Sequence, residues 1–163
     1  MKNSKNTPGS GTSDQTVEGG SHGVMRFPDI PLRIVSLVNG GYLIASRPGA
    51  DIRYTLVGSP SYIKLWRVLA HGDKYHILTA VGDHEYWTAV DERAVNLERY
   101  REGDKEQEWI VVDAGDGVVG IEKYTDGRFK CLTVNPTVVE GSAVYLEYRE
   151  TALKQNQKFR LVV

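Results

Sequence analysis

The chain has 163 residues, 40% hydrophobic and 25% charged, with a formal charge of −1 at neutral pH. That length suits one domain with an ordinary core, and the mixed signs give neither a basic footprint for nucleic acid nor a polybasic membrane anchor. No run approaches the ~20 apolar residues of a membrane span, and Cys131 is the only cysteine, which excludes an intramolecular disulfide and fits a reducing compartment.

Residues 1–24 are mostly Gly, Ser, Thr, Asn and Lys, with almost nothing to bury. Ordering them would cost entropy without return, so a disordered tail is expected, followed by one domain over 25–163. The tail lacks the apolar stretch of a secretory signal, and cytoplasmic residence is the expectation.

From Pro31 onward the texture becomes short strands between turn signals. Strands are predicted over 32–38, 42–46, 52–57 and 63–69, then 74–81, 86–90, 95–99 and 108–112, then 118–123, 129–134, 143–148 and 158–162. The first turn of each group is Asn39-Gly40-Gly41, Gly82-Asp83-His84-Glu85 and Thr125-Asp126-Gly127. A two-residue Asp-Gly link after a hydrophobic run is a strong hairpin signal. No segment of helical length with a 3.6-residue period competes.

The groups repeat one another. An aliphatic residue sits eight positions before an aromatic in Ile34 to Tyr42, Leu78 to Tyr86 and Ile121 to Phe129. Tyr42 to Tyr86 is 44 positions and Tyr86 to Phe129 is 43; Trp66, Trp109 and Phe159 close the three units. Three copies mean three structural units. Twelve short strands in three fourfold units resemble the β-trefoil, in which six strands close a barrel and three hairpins cap it. Closure suits the physics, because it leaves no exposed strand edges. The resemblance implies that Trp66, Trp109 and Phe159 fill the barrel, where their large buried area serves the core. Function then falls to loops. The third unit is the longest there: Phe129 to Phe159 spans 30 positions against 24 and 23 in the other two.

No catalytic signature is present. His22, His71, His76 and His84 lack metal-binding spacing, with His76 in a predicted strand and His71 and His84 in turns. Cys131 falls in an apolar strand, where burial makes a thiol inert. Phosphate loops, dinucleotide fingerprints and nucleophile elbows are missing. The expectation is a non-enzyme with no cofactor and no metal. The mixed run 98–106 reads as a solvated turn.

Two partners remain. Ser46-Arg47-Pro48-Gly49-Ala50-Asp51-Ile52-Arg53, together with Asn156-Gln157-Lys158-Phe159 after a long proline-containing excursion, is similar to the small cytosolic β-trefoil serine-peptidase inhibitors of mushrooms. The resemblance implies an inhibitory loop of Arg47, Pro48, Gly49, Ala50, Asp51 and Arg53. Pro48 fixes its own φ and biases Arg47 toward extended backbone, and Arg47 or Arg53 would meet the acidic pocket of a trypsin-like serine peptidase. The alternative partner is a glycan. Gln107-Glu108-Trp109 and Gln157-Lys158-Phe159 resemble the Gln-x-Trp endings of ricin-B-like lectins, whereas the first unit has Lys64-Leu65-Trp66. That resemblance implies sugar contacts at Trp87, Asp91, Asn96, Tyr100 and Asn135. The glutamines equally suit a structural role, bonding backbone within their unit.

Overall fold

The computed structural model describes residues 25–135, 137 and 140–163, and the predicted tail lies outside them. The described chain is all-β. Its strands are β1 (Arg33–Ser36), β2 (Tyr42–Ala45), β3 (Ile52–Thr55), β4 (Trp66–His71), β5 (Lys74–Thr79), β6 (Tyr86–Val90) and β7 (Ala94–Glu98). They continue as β8 (Ile110–Asp113), β9 (Val118–Thr125), β10 (Arg128–Thr133), β11 (Glu140–Ala143), β12 (Tyr145–Tyr148) and β13 (Phe159–Val162), with 3₁₀ turns at Lys105–Gln107 and Gln155–Gln157. Among the described residues no helix is long and apolar enough to cross a membrane.

Pairing brings six of these strands into a ring. β1 pairs with β13, β13 with β9, β9 with β8, and β4 with β5, all antiparallel. Two bridges complete the circuit: Tyr75 and Trp109 exchange backbone hydrogen bonds of 2.8 and 2.9 Å, and Leu32 and Trp66 exchange two of 2.8 Å. The nearly closed ring leaves little strand edge free for pairing with other chains. Hairpins β2–β3 and β6–β7, and β10 with β12, hang from β1, β5 and β9. They are knitted together by Leu97 N–H to Ala50 O, Val144 N–H to Ile52 O and Leu146 N–H to Arg93 O, at 3.0, 3.0 and 2.8 Å.

The ring is filled, as strand alternation requires. Ile34, Ile77, Trp66, Trp109 and Phe159 are fully buried. The indole N–H of Trp66 donates to Leu43 O and that of Trp109 to Trp87 O, both at 3.0 Å. Each indole thus ties a barrel strand to its own hairpin, and burial of the ring does not strand its polar atom. Gln107 and Gln157 are structural. Gln107 accepts from Arg101 N–H at 2.9 Å and donates to Arg99 O and Thr88 Oγ1 at 2.7 and 3.1 Å. Gln157 makes the matching bonds to Lys154 N–H at 3.0 Å and Thr133 Oγ1 at 3.3 Å.

Several predicted elements differ in detail. The strand predicted over 63–69 begins at Trp66 and runs to His71, because a tight turn at Gly72, with φ 64°, continues the β4–β5 ladder to the His71–Lys74 pair. His71 therefore ends a strand and does not lie in a turn. Ahead of the strand predicted over 143–148, which runs as β12, lies an additional strand, β11, which pairs with β3 through a register shift. At the β9–β10 link the positive φ values of Asp126 and Gly127, 55° and 75°, match the two-residue turn read from their identities.

Candidate functional site

The link from β2 to β3 is a turn in which Arg47 O accepts from Ala50 N–H at 3.2 Å and Gly49 takes φ 79°. Pro48 in second place and a positive-φ glycine in third place are the type II arrangement. The chain therefore folds back at Pro48 and Gly49, because Gly49 tolerates the left-handed region that closes the turn. Neighbouring units hold it from outside. Gly49 N–H donates to Glu85 Oε1 at 2.9 Å, Leu97 N–H donates to Ala50 O at 3.0 Å, and Asp51 bridges Asn96.

The two candidate arginines have opposite fates. Arg47, Pro48 and Gly49 are exposed. Arg53 lies within β3, between Ile44 of β2 and Ala143 of β11, and its guanidinium is taken. It donates to Asp51 Oδ1 and Oδ2 at 2.9 and 3.3 Å and to Gly141 O. Arg53 is thus already engaged by Asp51 and Gly141, whereas Arg47 makes no ion pair among the described residues.

Behind the turn lies an open cleft of about 570 Å³, walled by Ser46, Arg47, Asp51, Tyr62 and Asn96 with Gly141 at its edge. Sequence reasoning missed Tyr62, Glu85 and Gly141 here. No local signal marks them, because they come from separate loops and meet only through the hairpin contacts.

The residues implied for sugar on the second and third units have differing settings. Trp87 is 0% exposed and packs edge-on against Trp66 and Trp109 at 5.4 and 6.1 Å. No sugar reaches its face, a correction that follows from β6 alternation turning Trp87 inward and Tyr86 outward. Asp91 sits exposed in the β6–β7 turn with φ 53°. Asn96 belongs to the cleft. Tyr100 is exposed and stacks at 4.9 Å on Tyr86. Asn135 Oδ1 accepts from the N–H and hydroxyl of Thr137 at 3.0 and 2.9 Å, forming a local turn.

Titratable groups elsewhere are structural in character. His71 and His76 stack at 4.2 Å, and burial, then the charge of His71, pushes the His76 pKa down. Among the described residues no group of three or more His, Cys, Asp or Glu is placed to hold a metal ion. The setting of Cys131 differs from the apolar one expected: its Sγ lies 3.5 Å from Oε2 of buried Glu122, which in turn meets Arg149 Nε at 3.0 Å. Burial, with Glu122 adding to it, pushes the thiol up to about 12, so Cys131 stays protonated and unreactive near neutral pH. Burial also raises the Glu122 carboxyl against the pull of Arg149. Lys123 is buried beside Trp109, its ammonium donating to Lys105 O and Glu108 O at 2.7 and 2.9 Å, and desolvation lowers its pKa. In the mixed run, Arg101 pairs with Glu98 and Asp104 at 2.9 and 2.8 Å, a closed surface network.

No family model matches the sequence, and no curated protein matches it. Solved structures do. The designed 3-fold symmetric protein ThreeFoil matches with a TM-score of 0.64 at 22% identity, over 82% of this chain and 98% of that one. A proteinase inhibitor from Coprinopsis cinerea matches with a TM-score of 0.63 at 16% identity, over 83% and 98%. The C-half of an earthworm R-type lectin, solved in complex with GalNAc, matches with a TM-score of 0.57 at 19% identity, over 82% and 98%. At such identities the likeness speaks for architecture, and with the nearly closed barrel-like sheet it supports a β-trefoil fold.

Proposed function

We propose that the chain is a non-catalytic trefoil of three four-strand units whose hairpin cap displays an inhibitory turn for a trypsin-like serine peptidase, with Arg47 as the specificity residue. The observation that carries this reading is the state of the turn before any partner arrives. Arg47 stands exposed on a backbone fixed by three hydrogen bonds, one within the turn and two from Glu85 and Leu97 of the next unit. Little freedom is left to lose on docking, which is where pre-organised loops gain affinity. A guanidinium is also the side chain suited to an acidic pocket. The inhibitor from Coprinopsis cinerea on the same fold lends support.

Titration of the purified chain against trypsin, chymotrypsin and subtilisin tests the proposal. Stoichiometric inhibition of trypsin, lost in Arg47→Ala with the melting temperature unchanged, is the expected result. Absence of inhibition of all three enzymes, or full inhibition by Arg47→Ala, removes the turn from consideration. A glycan array on the same preparation is the control, because glycan binding without inhibition would make a lectin the working reading.

A further inference from the structure

We propose that the cleft behind the Arg47 turn is a binding site for an acidic sugar, a hexuronate-type ring with its carboxylate on Arg47 and its hydroxyls on Ser46, Tyr62 and Asn96. The site stands beside the inhibitory reading and does not depend on it.

The charge balance of the lining selects the acid. Among the described residues Arg47, Arg53 and Asp51 line the cleft, and Asp51 holds Arg53 through both of its oxygens at 2.9 and 3.3 Å. The nearby Glu85 carboxylate is engaged by Gly49 N–H, and Arg47 makes no ion pair among the described residues. A bidentate guanidinium–carboxylate contact is the strongest polar interaction such a wall can offer. The remaining groups select a polyol. Ser46, Tyr62 and Asn96 line the cleft, and among the described residues none of their side chains hydrogen-bonds to a partner within it. Hydroxyl, phenol and amide each donate and accept, which is what a ring bearing several hydroxyls requires. Tyr62 adds an aromatic surface, and Ile44 gives an apolar floor.

Size and access agree. The volume of about 570 Å³ falls within the ~300–1,000 Å³ common for small-molecule sites. Gly49 and Gly141 form the rim, and open space surrounds the place a Cβ would take at either. A ligand can therefore come close to backbone there. The walls are held by the Asp51–Asn96 bridge and the β3–β11 ladder, so the polar groups are set before the ligand arrives.

The test is a titration of the isotopically labelled full chain by NMR with sodium glucuronate, glucose and sodium acetate in turn. Saturable shifts of the Ser46, Ala50, Tyr62 and Asn96 amides with glucuronate are expected, with glucose about tenfold weaker, a factor set by one charge-assisted contact. Acetate carries the charge without the hydroxyls and should leave the Tyr62 and Asn96 signals unmoved. Asn96→Ala and Tyr62→Phe should each weaken glucuronate binding about three- to tenfold. Arg47→Ala should erase the preference for glucuronate over glucose. Failure of glucuronate to shift these signals saturably, or an equal response to acetate, overturns the proposal. Because Asn96→Ala and Tyr62→Phe keep Arg47 in its turn, trypsin inhibition measured on the same variants reports separately on the inhibitory reading.

Discussion

Replacing Gln107 by methionine removes an entire polar knot while keeping the length of the side chain. Gln107 is 0% exposed, donates both amide hydrogens to Arg99 O and Thr88 Oγ1 and accepts from Arg101 N–H. Each lost bond is worth about 0.5–1.5 kcal/mol net. Thr88 keeps its own donation to Tyr86 O at 2.9 Å, so it is only partly orphaned. Three bonds at about 1 kcal/mol, less a small return from the buried thioether, place the cost of Gln107→Met near 2–3 kcal/mol. For a domain of this size that is a fall of about 5–15 °C in melting temperature. The damage also spreads, because the 3₁₀ turn Lys105–Gln107 positions the Lys105 and Glu108 carbonyls that receive the Lys123 ammonium. Urea unfolding reads the effect as a lower midpoint at unchanged m. The first unit supplies the control, since Lys64 occupies the corresponding place and Lys64→Met should change stability by less than about 0.5 kcal/mol. A Gln107→Met variant within that same margin of wild type would refute the structural role given to the Gln-x-Trp glutamine.

Three further perturbations follow from the same geometry. Glu85→Ala deletes the carboxylate that accepts Gly49 N–H and should weaken trypsin inhibition about three- to tenfold at unchanged melting temperature, with Glu85→Gln recovering most of it; equal inhibition constants would show that the turn needs no tether. Glu122 titrates above its ordinary value of 4.5 because burial outweighs Arg149. Its contribution to stability is therefore full below that value and is lost as pH rises through the folded pKa, so the wild-type melting temperature should fall across this window relative to Glu122→Gln. Calorimetric pH profiles that run parallel would contradict the assignment. In Gly41→Ala the new methyl falls within the Tyr54 ring, which is 1% exposed and donates its hydroxyl to Val38 O at 2.7 Å. A loss of about 2–4 kcal/mol is expected, shrinking in a Tyr54→Leu background, and additive losses in denaturant titrations would argue against the clash.

The barrel was legible because each of its strands carries its own alternation and its own turn chemistry. Asp126-Gly127 announces a two-residue turn from identity alone, and Trp66 and Trp109 stand 24 and 23 positions after Tyr42 and Tyr86. Trp87 was less legible for a definite reason. Alternation fixes that Tyr86 and Trp87 face opposite ways, but not which of the two faces inward, and both are aromatic. The answer came from Trp109, whose indole N–H needs the Trp87 carbonyl, a contact across 22 positions. Strand β11 was hidden for a similar reason, since its ladder partner β3 lies in another unit and its register slips. The Glu122, Cys131 and Arg149 cluster also reads locally as ordinary strand polarity. Glu122 and Cys131 become neighbours only through the β9–β10 register.

At the turn, one signal was available and decides between the arginines. Residues two apart on a strand share a face, so an Asp at the entrance to β3 and an arginine two positions later are placed to pair whatever the rest of the fold does. Asp51 and Arg53 do so, and Gly141 takes the remaining donor. Arg47 has no acid at that spacing, and Pro48 and Gly49 place it on a turn rather than a ladder. Local spacing therefore identifies Arg47 as the free cation before any tertiary contact is known. What spacing does not carry is the wall opposite. Tyr62 comes to the cleft from the link between β3 and β4, and Asn96 because Leu97 N–H donates to Ala50 O across the two hairpins. The exposed charge is a property of one loop, and the cleft beside it draws on Tyr62, Asn96 and Gly141, which lie further along the chain.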